Sequence, residues 1–159
     1  MPAQDNENLV RSYYQAFNDR DINRGASYIA DDFEWEIVPF GTTLRGPEGY
    51  RRFMSVWETA TPDGKIQLNR VIPVGDWVVT EFTFTGTQTG PLVTPAGEIP
   101  STGQTIELKP CELLQVKDGK LVHGRVYFDL GGLMRQLEWT PQPVIEQPTE
   151  SQENTWLHP

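Results

Sequence analysis

The chain is poor in the residues that build metal centres and cross-links: one cysteine, Cys111, and two histidines, His123 and His158, in 159 residues. A single thiol excludes an intrachain disulfide, and so few ligands argue against a Cys/His zinc site. Positive charge is also scarce, with 13 lysines and arginines against 22 aspartates and glutamates and a net charge of −9. Basic residues do not cluster beyond the pair Arg51-Arg52. That balance argues against nucleic acid or an anionic membrane as a partner, because both require a basic surface. No apolar run approaches the ~20 residues of a membrane span. The polar, acidic start (MPAQDNE) does not resemble a secretory signal. These absences predict a soluble, cytoplasmic protein that uses no metal.

Aromatic residues, by contrast, make up 11% of the chain and include five tryptophans. Such a proportion suggests an aromatic-lined interior, an interface, or both. Leu9, Val10, Tyr13, Tyr14 and Phe17 recur at helical spacing, with Asp5 or Asn6 as a candidate N-cap. Asp21 is placed to cap a second short helix. The alternation Phe33, Trp35, Ile37 predicts a strand, the segment 41–46 a turn, and Pro47 the start of a third helix with the stripe Tyr50, Phe53, Met54 and Trp57. After Thr61-Pro62-Asp63-Gly64 the pattern turns to strands: 66–72, 77–85, 104–116 and 121–129. A long connection over about 87–103 is expected to overhang a site.

Helices early and antiparallel strands late predict an α+β fold: three N-terminal helices packed on a strongly curved mixed or antiparallel sheet that encloses a conical cavity. Residues 1–140 read as one domain, and 141–159, rich in Pro, Gln, Glu and Thr, as an extended or disordered tail.

Several short motifs, in order and spacing, resemble the SnoaL-like polyketide cyclase group of the nuclear-transport-factor-2-like superfamily, the cystatin-like α+β cone. They are Tyr14-Gln-Ala-Phe-Asn18, Gly46-Pro-Glu-Gly49, Gly75-Asp-Trp-Val-Val79, Gly86-Thr-Gln-Thr-Gly90, Asp118-Gly-Lys-Leu121 and Arg125-Val-Tyr-Phe-Asp129. The resemblance covers about residues 7 to 138. It implies a cofactor-independent enzyme that closes a ring in an aromatic polyketide ester, with its acid/base aspartate at Asp129. The chain departs from that pattern at Glu81, Gln88, Gln115 and His123.

Strand periodicity places His123, Arg125, Tyr127 and Asp129 on one face of the last strand, with Val122, Val126 and Phe128 on the other. The polar face is expected at the end of the cavity, where Asp129 takes a proton and Arg125, Tyr127 or His123 stabilises an enolate. The alternative for Asp129 is an ion pair with Arg125. Glu81 is either an inward partner carboxylate or an exposed one, and an inward Glu112 is a further candidate. The expected catalytic set is therefore Asp129, Glu81, His123 and Arg125. The expected substrate-contacting set is Tyr14, Phe17, Trp35, Tyr50, Phe53 and Trp57, together with Gln88, Glu112 and Tyr127. The apolar outer sheet face is expected to form a homodimer. The predicted activity is that of a cyclase or isomerase acting on a hydrophobic carbonyl-bearing, polyketide-like molecule. Binding without catalysis and epoxide hydrolysis are the alternatives.

Overall fold

The computed structural model describes residues 2–139; the tail expected over 141–159 lies outside the described residues. Helix α1 (Ala3–Asn18) begins earlier than the sequence pattern suggests, which puts Asp5 in its first turn rather than at its cap. Its apolar stripe buries Val10, Tyr13, Tyr14 and Phe17. The Asp21 carboxylate accepts the backbone N–H of Arg24 at 3.0 Å and so starts α2 (Ile22–Ser27). Pro47 lies in the first turn of α3 (Gly46–Ala60), where its missing N–H costs nothing.

The strands are β1 (Ile29–Ile37), β2 (Thr42–Arg45), β3 (Lys65–Val74), β4 (Trp77–Thr87), β5 (Leu92–Thr94), β6 (Gly97–Ile99), β7 (Thr105–Leu108), β8 (Cys111–Lys117) and β9 (Lys120–Tyr127), followed by α4 (Leu130–Gln136). The main sheet has seven strands, ordered β2-β1-β9-β8-β4-β3, with β7 also paired to β4. The β1–β9 pairing is parallel and the others are antiparallel. Strand β2, read as a turn from its glycine-flanked sequence, takes the outer edge of β1, a tertiary pairing that local composition does not announce.

The sheet is an open path ending in two free edges, β2 and β3, and it is neither closed nor strongly curled. This corrects the expected cone. The buried space is a chamber between one sheet face and the helices, with the helix layer closing what the strands leave open. The 87–103 connection is not a bare loop either: β5 and β6 form their own two-stranded hairpin within it.

The inward face is set by β4 and β8. Val78, Thr80, Phe82 and Phe84 on β4, and Glu112, Leu114 and Val116 on β8, are all buried. Register then fixes β9: Glu112 is opposite Val126, and Leu113 is opposite Arg125. Residues paired across strands share a face, so Val126 points inward and Arg125 outward. This reverses the side assignment expected from the polarity of β9.

Candidate functional site

Val126 and Phe128 line an aromatic chamber with Phe82, Phe84, Tyr13 and Met54, none of which the sequence reading had placed there. Of the expected substrate-contacting residues, Tyr14, Phe17, Trp35, Phe53, Trp57 and Glu112 also line it. The chamber has a volume of about 80 Å³. Among the described residues, Glu112 is the single carboxylate on its wall, and no lysine, arginine or histidine lines it.

Glu112 is only 2% exposed. Its two oxygens are held separately: the Tyr14 hydroxyl donates to Oε1 at 2.5 Å and the Trp35 indole N–H donates to Oε2 at 2.8 Å. The Thr80 hydroxyl lies 2.7 Å from the Tyr14 oxygen. Since the one phenolic proton of Tyr14 goes to Glu112, Thr80 is the donor in that second contact. A chain of three side chains, from β4, α1 and β8, therefore ends on the carboxylate, and β1 supplies the fourth member through Trp35.

Burial raises the Glu112 pKa to about 7, opposed only in part by the hydrogen bonds from Tyr14 and Trp35, which favour the anion. Burial, with the neighbouring Glu112 charge, also pushes the Tyr14 phenol well above its ordinary value. Tyr14 thus keeps its proton at neutral pH, while Glu112 is poised to gain or lose one. A carboxyl in that range can act as either general acid or general base near pH 7.

The other sequence candidates are placed elsewhere. Asp129 lies just past β9, where its side chain is 71% exposed, accepts the Gly132 backbone N–H at 2.8 Å as the N-cap of α4, and sits 3.5 Å from Arg135. It is absent from the chamber wall. The expected pairing with Arg125 is not formed; Arg125 instead donates to Glu36 at 2.7 Å on the solvent face of the sheet. His123 lies 3.7 Å from Glu36 and edge-on to Trp77, and Tyr127 is exposed. Glu81 is 52% exposed and pairs with Arg70 at 3.2 Å, the outward alternative of the sequence reading.

Gln88 is fully buried but holds the chain rather than the chamber. Its amide donates to the Ile99 and Pro100 carbonyls, and its oxygen accepts from the Thr102 N–H and hydroxyl, strapping the 87–103 connection closed. Tyr50 is core, tilted against Tyr13 and stacked on Trp35. Thr80 is the member of the network that the sequence reading missed. Alternation put it on one face with Val78, Phe82 and Phe84 without saying that this face is the inward one, and its hydroxyl gains meaning only from Tyr14, 66 residues away. Among the described residues, no three His, Cys, Asp or Glu side chains converge to hold a metal ion, and no helix is long and apolar enough to cross a membrane.

Helices laid on an open mixed sheet over an aromatic chamber define the nuclear-transport-factor-2-like class. The family model for SnoaL-like polyketide cyclases matches residues 7–137, and the chain belongs to that family. It is 29% identical over 138 residues to the aklanonic acid methyl ester cyclase AcmA of Streptomyces galilaeus, covering 86% of this chain and 92% of that one. Among solved structures it is similar to TsrD from Streptomyces laurentii, with a TM-score of 0.74, 24% identity, and 86% and 97% of the two chains covered. It is also similar to an LEH-like epoxide hydrolase from M. tuberculosis, with a TM-score of 0.64, 21% identity, and 85% and 93% covered. At such identities, these two structures speak for the fold alone.

Proposed function

We propose that this protein is a cyclase or isomerase that works by acid/base chemistry on a hydrophobic, carbonyl-bearing, polyketide-like molecule, with Glu112 as the proton-transferring group. The observation that carries this reading is the solitary carboxylate of Glu112, poised near neutrality on an otherwise aromatic wall. Family membership and the cyclase activity of AcmA support the reaction class. Asp129, a capping residue open to solvent, has no comparable support from its surroundings.

In this reading, the ionised Glu112 takes a proton from the carbon beside the substrate carbonyl. The C–H electron pair becomes the enolate π bond, and the proton resides on Glu112. Return of that proton at a second position gives isomerisation. Attack of the enolate carbon on an electrophilic carbonyl within the same molecule closes a ring, and Glu112 then protonates the new alkoxide. Tyr14 and Trp35 hold the carboxylate in place through both halves of the cycle, and the aromatic wall excludes water from the enolate. Epoxide hydrolysis has less support, because it needs an activated water in a chamber that offers it almost no polar partner.

The test is exchange of the α-protons of a small aromatic β-keto ester in D₂O, followed by NMR. Glu112→Gln is expected to lose a factor of about 10²–10⁴, the usual worth of a general base, while Asp129→Asn, which keeps the cap, stays within about threefold of the wild type. Undiminished exchange in Glu112→Gln, or its loss in Asp129→Asn alone, would overturn the assignment.

A further inference from the structure

The chamber is not neutral toward the charge of its occupant. Among the described residues its wall carries one carboxylate and no cationic side chain, and the rest is largely aromatic and hydrocarbon. The nearest guanidinium on the adjoining strand, Arg125, belongs to the opposite face of the sheet and is bound to Glu36. The two donors that reach Glu112, Tyr14 O–H and Trp35 N–H, temper its charge without cancelling it. Each carboxylate oxygen accepts one such hydrogen bond and retains lone-pair capacity for another.

Consider what each kind of ligand meets there. An anionic group would be repelled by Glu112 and would find no counter-charge. A neutral ring system would fit, but by excluding water it would favour the protonated, uncharged form of Glu112 over the anion. A ligand bearing an alkylated ammonium would supply the missing counter-charge, and the negative faces of Trp35, Trp57, Phe53 and Phe82 would receive the N-methyl or N-methylene groups around it. An alkylated ammonium is also less costly to remove from water than a bare one, since its substituents already shield it.

We infer that the substrate recognised by this chamber is a hydrophobic ring-bearing molecule that carries a protonated tertiary amine, which pairs with Glu112 against the aromatic wall. This rests on the reading of the chamber as the substrate site and narrows it to a charge class. It also addresses a need of the proposed chemistry. An enolate formed beside Glu112 meets no cationic residue, and both donors at hand are already committed; an ammonium on the substrate itself balances that charge.

The experiment compares three small probes of nearly equal shape by calorimetric titration at pH 8, where Glu112 is ionised: N,N-dimethylbenzylamine, a cation; isobutylbenzene, its neutral carbon counterpart; and phenylacetate, an anion. The wild type is expected to bind the amine at least tenfold more tightly than isobutylbenzene, and phenylacetate most weakly. In Glu112→Gln the amine and the hydrocarbon should bind alike. Equal affinity for the two in the wild type, or an amine preference that survives in Glu112→Gln, would overturn the charge assignment while leaving the chamber and its proton chemistry standing. Failure of all three to bind would overturn both.

Discussion

Glu112 carries an ionisation cost that can be measured without knowing any substrate. Its carboxyl titrates at about 7 in the folded chain, against an ordinary value of 4.5. Between those two values the folded state holds a proton that the unfolded state has released, so stability falls as pH rises through that window and stays lowered above it. The difference corresponds to an effect on the order of 3 kcal/mol. Urea unfolding at pH 5 and pH 8 should show this decline in the wild type and a smaller one in Glu112→Gln; identical pH dependence in the two would contradict the burial of a titrating carboxyl. Trp35→Phe removes a donor that favours the anion, so the Glu112 pKa should move further upward. The rise of proton exchange with pH, which follows ionisation of Glu112, would then shift to higher pH with the fold retained, and a shift downward would speak against the contact. At this scale the site was legible in part: periodicity put Tyr14 and Trp35 on apolar faces, while an inward Glu112 stood only as a further candidate. Their meeting was not, because the contacts span 77 to 98 residues of chain.

The elements explain where the sequence reading went astray. Polarity suggested that Arg125 and Tyr127 face a cavity, since charged residues in a late strand look purposeful. The two faces of β9 are in fact distinguished by pairing: inward Val126 follows from Glu112 across β8, and outward Arg125 finds Glu36 across β1. An ion pair on the solvent side of a sheet leaves no periodic trace in a single strand. Asp129, expected at the polar end of the cavity, caps α4 with its side chain open to solvent. Gly124 is the informative glycine of this strand. A Cβ there would come within 2.9 Å of the Trp35 ring, 3.1 Å of Leu114 and 3.2 Å of Phe33. Gly124→Ala should therefore cost about 1–3 kcal/mol by overpacking, read as a lower urea midpoint, and it should displace the indole that holds Glu112. A midpoint unchanged from the wild type would mean that the Trp35 side of the chamber yields freely.

At the scale of the molecule, composition gave the class of fold and the order of its major elements, whereas strand order had to come from tertiary pairing. The apolar residues expected on a dimer face, such as Phe82, Phe84 and Val126, are core. The outer face nevertheless presents its own apolar strip: Ile72 and Val79 are paired, Val79 pairs in turn with Leu113, and Val74 lies across from Trp77. Ile72 and Val74 are exposed. We propose that a second copy of the chain covers this strip, since two such faces bury each other's hydrocarbon. Sedimentation should find a dimer for the wild type and a monomer for Val79→Glu; a monomeric wild type would dispose of the idea.

Strand β9 sits in the middle of the sheet although it is the last strand in the chain, flanked by β1 on one side and β8 on the other. Without β9, the β1–β2 pair and the β3–β4–β8 group would share no strand-to-strand pairing and would be joined only through the helices. The wall that carries Trp35 would then meet the wall that carries Glu112 only through the helix layer and the side chains of Tyr14 and Glu112. Insertion of β9 between its neighbours is the pairing that sets the two walls of the chamber at one spacing, so loosening of this one strand would loosen the site as a whole.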